Sequence, residues 1–128
     1  MNRLMLVAGL CVVLWAPSLS SSGQAPTKFV DVAAVTGCLV QQGQTWWLSN
    51  ASEVMGTGAA AAKVTVNEAK KQPLGKERYH VIGVLEEYGV LQHAGHRMLA
   101  KGLINDDGKE KRLNLTSLQM VDQTCPAK

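Results

Sequence analysis

The spacing of the cysteines constrains the fold of this chain more than any other feature. The 128 residues include Cys11, Cys38 and Cys125, and Cys11 lies in an apolar N-terminal run that resembles a removable signal. The two remaining cysteines of a small exported domain predict a disulfide, whereas redox-active or metal-binding thiols are the alternative. The lack of a CxxC spacing favours the disulfide. Closing a loop of 87 residues would stabilise the fold by about 4 kcal/mol.

The N-terminal residues follow the three-part pattern of a secretory signal peptide. Arg3 precedes an apolar run over 4–16, and small residues surround Ser20. The run is shorter than the about 20 residues that span a membrane, and a buried helix or an uncleaved anchor is the alternative. We therefore predict a signal peptide over 1–20, with cleavage between 20 and 25, and a linker over 21–33. The mature protein is expected to be bacterial, periplasmic or secreted, with no membrane span after cleavage.

The charge balance argues against a protein dedicated to nucleic acid. The net charge is +3, and a nucleic-acid-binding domain needs a concentrated basic face. Basic residues do cluster over 70–78 and 109–112, but Glu77 and Glu110 interrupt the clusters. This pattern favours a solvated surface.

A β-hairpin is predicted from two runs of strand-forming residues. Residues 35–40 and 45–49 flank the turn sequence QQGQ, in which Gly43 can adopt a positive φ. Since side chains alternate along a strand, Trp46 and Trp47 lie on opposite faces. One tryptophan points to the core and the other is half-exposed, and the alternation does not tell which.

Residues 51–77 form an irregular insertion. The four alanines over 59–62 predict at most a marginal helix, because glycines flank them and short isolated helices are barely stable. We further predict a short strand over 64–66 and a helical turn that Asn67 caps and that ends at Pro73.

The rest of the chain predicts three more strands and one short helix. The strands occupy 79–84, 97–104 and 112–121, and the helix occupies 85–93 with Gly95 after it in a left-handed conformation. The apolar phase of the last strand flips, which predicts a bulge at Thr116 and Ser117.

The order β-β-β-α-β-β predicts an all-β domain with a short helix over 34–125. A helix between the third and fourth of five strands is the arrangement of the OB-fold, a small five-stranded barrel. We expect closure to bring the fifth strand beside the first, so that Cys125 reaches Cys38.

Several short motifs resemble a family of small exported bacterial proteins of unknown function. They are "VTGCL", "WWLSNAS", "YHVIG", "LQHAGHRMLAKGLI", "LTSLQMV" and a final cysteine, and together they extend over 35–125. The second tryptophan and the charged segment 70–78 depart from the family pattern. The resemblance implies an OB-like fold and export, and it implies no activity.

The histidines are the candidate metal ligands. His93 and His96 have an HxxH spacing, His80 could join them, and imidazoles bind zinc, copper or nickel. The alternative is a helix end, with His93 near the C-terminus of the helix and Gly95 after it. We favour the helix end and predict no metal and no cofactor.

The aromatic residues are the candidate ligand-stacking groups. Trp46, Trp47, Tyr79 and Tyr88 could form a platform of the kind with which OB-folds bind oligonucleotides and sugars, and core packing is the alternative. Neither a nucleophile elbow, a phosphate loop nor a catalytic carboxylate pair is present in the sequence. We therefore predict a non-enzymatic module that binds a small ligand or an envelope component. A histidine-based metal-binding protein or small enzyme is one alternative, and a binder of single-stranded nucleic acid or glycan is another.

Overall fold

The computed structural model describes residues 31–126. The predicted signal peptide and most of the predicted linker lie outside these residues. The strands and helices, in chain order, are β1 (Val32–Gln42), β2 (Thr45–Ala51), β3 (Gly56–Thr57), α1 (Ala59–Lys63), α2 (Val66–Lys71), β4 (Glu77–Ile82), β5 (Arg97–Asp106) and β6 (Lys111–Asp122). The first strand begins at Val32, inside the predicted linker.

Five strands pair into a ring. β1 is antiparallel to both β2 and β5, β2 is antiparallel to β4, β4 is parallel to β6, and β6 is antiparallel to β5. The domain is thus mostly β, as predicted, with five main strands and two short helices. The prediction that the fifth strand lies beside the first is wrong, because β5 lies between β1 and β6.

The β1–β2 hairpin matches its prediction. The turn after Gln42 contains Gly43 with a φ of 63°, which is the left-handed region that favours glycine. A second glycine of this hairpin has a packing role. A Cβ at Gly37 would lie 2.9 Å from both Cγ of Leu48 and the carbonyl oxygen of Ser49. Glycine at this position lets the two strands approach each other closely.

The inner faces of the ring strands carry the main core. Alternate residues point inward, and Trp46 is the tryptophan that packs there, at 6% exposure. The buried members of this inner core are Val35, Leu39, Trp46, Leu48, Ala51, Tyr79, Val81, Val90, Met98, Ala100, Leu113 and Leu115.

The insertion packs outside the ring and contains more structure than its sequence predicts. Residues 64–66 are not a strand, since α2 begins at Val66, and Thr65 caps this helix instead of Asn67. The Thr65 hydroxyl accepts the N–H of Glu68, and the Glu68 carboxylate accepts the N–H of Thr65. This reciprocal capping box stabilises a helix too short to form alone.

A second, smaller core joins the insertion to the ring. Its buried residues are Ala34, Ala61, Val64, Ala69 and Leu99. Beside it, the buried Arg97 donates from Nη2 to the carbonyl oxygens of Ala69 and Gln72 at 2.8 and 2.5 Å. These carbonyls lie at the C-terminal end of α2, where few backbone donors remain: Ala69 also accepts the N–H of Gln72, and Arg97 supplies the further donor.

The predicted helix between β4 and β5 is two 3₁₀ turns, Leu85–Tyr88 and Val90–His93. Gly89 separates them in a left-handed conformation, which ends the first turn before an α-helix can continue. Gly95 also has a positive φ of 78°, as expected. Val90 is buried in the inner core, so these turns cover one end of the ring.

The predicted bulge is confirmed at Thr116. Lys101 lies opposite Ser117 whereas Gly102 lies opposite Leu115, so Thr116 is an extra residue in β6. A Cβ at Gly102 would lie 2.1 Å from the carbonyl oxygen of Asn114. The bulge therefore presses β6 against a strand position that only glycine can occupy.

Cys38 and Cys125 lie at disulfide distance, with their Cα atoms 5.6 Å apart. The path between them differs from the expected one. Arg97 of β5 pairs with Cys38 on one side and with Asp122 on the other. Cys125 therefore reaches β1 across the beginning of β5.

Within residues 31–126, no helix has the length and apolar character needed to cross a bilayer.

Candidate functional site

Trp47 lies on the outer face of the ring. It is half-buried on β2, whereas its neighbour Trp46 points inward. The register places Trp47 directly opposite His80 of β4. The two rings stack with centroids 4.9 Å apart and planes inclined by 26°. Cross-strand aromatic pairs of this kind stabilise a sheet and orient both rings.

A cation also covers the indole of Trp47. The guanidinium carbon of Arg78 lies 3.7 Å from the ring centroid, within the range of a cation–π interaction. Arg78 also donates to Oε1 of Gln42, at the end of β1. Arg78 and His80 share the outer face of β4 because they are two residues apart. The indole is thus held by two side chains of the neighbouring strand.

The loop between β5 and β6 forms the opposite wall of an open groove beside Trp47. The groove encloses about 440 Å³. The residues lining it are Trp47, Glu77, Arg78, Asp106, Gly108, Lys109, Glu110 and Lys111. We call this feature the Trp47 groove.

The loop wall is organised by its own aspartates. The Asp107 carboxylate accepts the N–H groups of Lys109 and Glu110 at 2.9 and 2.8 Å, and Asp106 accepts the N–H of Gly108 at 2.9 Å. The hydrogen bonds from the N–H groups of Glu110 and Lys109 lower the pKa of the Asp107 carboxyl group. A short loop with these internal bonds has a defined shape before any ligand binds.

Ion pairs surround the Trp47 groove. Glu110 accepts from Nε of Arg112 at 3.0 Å, and its other oxygen lies 3.3 Å from Nδ1 of His80, a contact that lacks hydrogen-bond geometry. Lys111 pairs with Glu77. The hydrogen bond to Glu77 raises the pKa of the Lys111 ammonium group. The lining residues include three acids and three bases, so their formal charges cancel at neutral pH.

The four candidate aromatics do not form one surface. Trp46 and Tyr79 are buried members of the inner core, and Tyr88 is partly buried against it. Burial raises the pKa of the Tyr79 phenol. Trp47 is the member of the four that lines the groove.

The three candidate histidines separate into a pair and a single residue. Nδ1 of His93 lies 3.2 Å from Nδ1 of His96, and the rings meet edge to face. His80 packs on Trp47 instead. Within residues 31–126, no three His, Cys, Asp or Glu side chains come together as a metal-binding group.

The charged residues of the groove were not among the site residues predicted from the sequence. Arg78, Glu110 and Lys111 were expected on a solvated loop surface, since each belongs to a mixed-charge cluster. One feature of the sequence could have indicated them: the charged clusters 70–78 and 109–112 lie at the beginnings of two strands, β4 and β6. The strands are parallel neighbours, with His80 opposite Arg112. Parallel pairing brings the preceding charges to the same end of the sheet.

Comparisons of the chain with family models, with curated proteins and with solved structures found no match.

Proposed function

We propose that this protein is an exported, non-enzymatic binding module with an OB-like fold, which binds a neutral oligosaccharide in the Trp47 groove. It would belong with the small exported bacterial proteins that its motifs resemble, and an envelope glycan would be its ligand. The observation that carries the proposal is the position of the groove in the strand order.

The position of the groove along the chain supports this proposal, because it corresponds to the region where OB-folds hold their ligands. In these barrels the second and third strands, with the loops that join strands one to two and four to five, bind oligonucleotides and oligosaccharides. Counting the ring strands along the chain, Trp47 belongs to the second strand and Arg78 to the third, and residues 106–111 span the connection between the fourth and the fifth. The parallel pairing of β4 with β6 and the antiparallel pairing of β5 with β1 support the same assignment.

The charge of the groove favours a neutral ligand. Proteins that bind a nucleic-acid backbone neutralise several phosphates with an excess of lysine and arginine. Here three bases and three acids line the groove, and one of these bases, Lys111, is already paired with Glu77. A half-buried indole among hydrogen-bonding side chains suits a sugar ring, which has an apolar C–H face and a rim of hydroxyl groups.

Export is supported by the cysteines and by the N-terminal sequence. Disulfides persist in oxidising compartments, and Cys38 lies at disulfide distance from Cys125. The proposal predicts that protein expressed from the full sequence in a bacterium accumulates outside the cytoplasm. Intact mass should show cleavage between residues 20 and 25 and a loss of two hydrogens relative to the reduced form. An unprocessed chain with free thiols would contradict export.

The binding proposal is tested by calorimetric titration with neutral oligosaccharides and, separately, with single-stranded DNA. We expect saturable binding to at least one neutral glycan class, and a Trp47→Ala variant at least about tenfold weaker, which corresponds to about 1.4 kcal/mol. Leu91→Ala is the matched control, because Leu91 is an exposed apolar residue on a 3₁₀ turn that does not line the groove.

Three outcomes would count against the proposal. Equal affinity of the Trp47→Ala variant would place the ligand elsewhere. Salt-sensitive binding of single-stranded DNA, with no binding of glycans, would favour the nucleic-acid alternative. No heat with any neutral glycan would overturn the ligand class.

A further inference from the structure

The turn that leads into β5 contains a pair of histidines with an unusual contact. Nδ1 of His93 and Nδ1 of His96 are 3.2 Å apart. We propose that this pair binds a divalent transition-metal ion, of the Zn²⁺ or Cu²⁺ type, through both Nδ1 atoms. The site does not depend on the Trp47 groove or on its ligand.

The distance between the nitrogens matches that of two ligands on one metal. Zinc binds histidine nitrogen at about 2.0–2.1 Å. Two nitrogens at that distance from one ion and 3.2 Å from each other subtend an angle of about 100° at the metal, given those bond lengths. This angle lies between the right angle of tetragonal Cu²⁺ and the tetrahedral angle of Zn²⁺. Both nitrogens can therefore reach one ion with little change in the backbone.

The backbone holds the two rings together. The N–H of His96 donates to the carbonyl oxygen of His93 at 3.0 Å, which closes the turn. Two further bonds attach the turn to β1, because Gly95 donates to Leu39 at 2.7 Å and Leu39 donates to His96 at 3.0 Å. The positive φ of Gly95 permits this tight connection. Because the folded backbone already holds the two imidazoles close together, little further conformational entropy is lost when a metal binds both.

The metal-free pair has a simple protonation requirement. In an N–H···N contact one ring presents a proton on Nδ1 and the other presents a lone pair. A metal ion bound to both Nδ1 atoms requires the ring that carries its proton on Nδ1 to carry it on Nε2 instead, so that both imidazoles bind as neutral ligands and no net proton leaves the pair. Neither imidazole forms an ion pair with a carboxylate inside residues 31–126.

The site has an open coordination sphere. Because no third His, Cys, Asp or Glu joins the pair within the described range, water completes the coordination. Both side chains are half-buried, so solvent and ions reach them. Cu²⁺ should bind more tightly than Zn²⁺ or Ni²⁺, following the general order of stability for nitrogen ligands.

The test is a Zn²⁺ titration of protein that carries no polyhistidine tag, followed by calorimetry and by ¹⁵N NMR of the histidine rings. We expect one saturable site per chain and a shift of the Nδ1 resonances of both His93 and His96. His93→Gln and His96→Gln should each weaken binding at least about tenfold, as loss of a ligand exceeds the loss of an outer-shell partner. His80→Gln is the matched control and should leave the affinity unchanged, since His80 packs on Trp47.

Two results would overturn the proposal. One is a wild-type titration without saturation up to millimolar Zn²⁺, with both Nδ1 resonances unmoved; this readout does not require any variant to fold. The other is wild-type affinity in the His93→Gln and His96→Gln variants, which would assign the metal to other groups.

Discussion

The two faces of β1 are buried to the same extent by different means. On the inner face, Val35 and Leu39 pack among large apolar side chains of the ring. On the outer face, Ala34 packs against the small residues of the insertion, Thr36 takes part in hydrogen bonds, and Cys38 lies at disulfide distance from Cys125. All five side chains are at most 5% exposed.

The difference shows what each region needs to be stable. Large side chains bury enough apolar area to hold the inner core together without polar contacts. The outer region is rich in alanine and buries much less area per residue. Hydrogen bonds stabilise it instead. The Thr36 hydroxyl donates to the carbonyl oxygen of Met98 at 3.0 Å, and Arg97 donates to the carbonyl oxygen of Ala69. We expect the outer region to depend on specific bonds and the inner region to depend on volume.

The largest expected effect is loss of the cysteine pair on the outer face. Replacing both Cys38 and Cys125 by serine should lower the free energy of unfolding by about 4 kcal/mol, because the denatured chain regains the freedom of an 87-residue loop. Urea denaturation of the variant and of the reduced wild-type protein measures this. A change below about 1 kcal/mol would mean that the outer face does not need its covalent link.

Truncation in the inner core should have the next largest effect. Leu39→Ala removes a fully buried side chain and should lower the free energy of unfolding by about 3 kcal/mol, through lost transfer energy and a cavity. Val40→Ala, at the half-buried neighbouring position, is the control and should lower the free energy of unfolding clearly less. If both variants lowered the free energy of unfolding equally, the inner face of β1 would not depend on side-chain volume more than the outer face does.

Replacing Arg97 tests whether the outer region depends on specific bonds. Arg97→Met keeps most of the volume but removes the guanidinium donor from the carbonyl oxygens of Ala69 and Gln72, of which Ala69 keeps the N–H of Gln72 as a donor. We expect the free energy of unfolding to fall by about 2 kcal/mol. Hydrogen exchange should accelerate in α2 (Val66–Lys71), while the amides between β1 and β2 remain protected. Uniform acceleration in both places would show that the two regions unfold as one unit.

The smallest effect concerns the ionisable group of the inner core. Burial raises the pKa of Tyr79, so the folded state binds the phenolic proton more tightly than the unfolded state does. This contribution to stability is complete below the ordinary pKa of 10.0 and is lost as the pH rises through the higher folded value. Lys111, whose pKa Glu77 raises, acts in the same direction.

Thermal denaturation between pH 9 and pH 11 measures this effect. The midpoint should fall with rising pH in the wild-type protein and less steeply in Tyr79→Phe, with Tyr88→Phe as the control outside the buried inner core. The interpretation fails if Tyr79→Phe and the wild-type protein lose stability in parallel over this range.

Local signals along the chain predicted much of the ring. The QQGQ turn, the positive φ at Gly43 and the bulge at Thr116 all followed from residue type and apolar phase. These features depend on neighbours in sequence, which is why alternation and turn chemistry detect them. The prediction of Asn67 as the capping residue of α2 was wrong, although Thr65 and Glu68 have the T-x-x-E spacing that is the local signature of a capping box.

The Trp47 groove could not be predicted as a site. Alternation placed Trp46 and Trp47 on opposite faces but did not decide which face was buried, because that depends on what covers β2. Arg78 and Glu110 are 32 positions apart in the printed sequence, and only the parallel pairing of β4 with β6 brings their segments to one end of the sheet. No local pattern carries that information.

Residue types and their spacing along the chain were enough to predict a mostly β domain with five main strands, one hairpin turn, one bulge and the pairing of Cys38 with Cys125. These properties depend on backbone preferences and on the period of apolar residues, which act over a few positions. The tertiary structure alone decided that β5 lies between β1 and β6, that Trp46 is the inner tryptophan, and that His93 and His96 meet without His80. Those outcomes depend on contacts between distant segments, whose energies are set by packing and burial after the chain has closed.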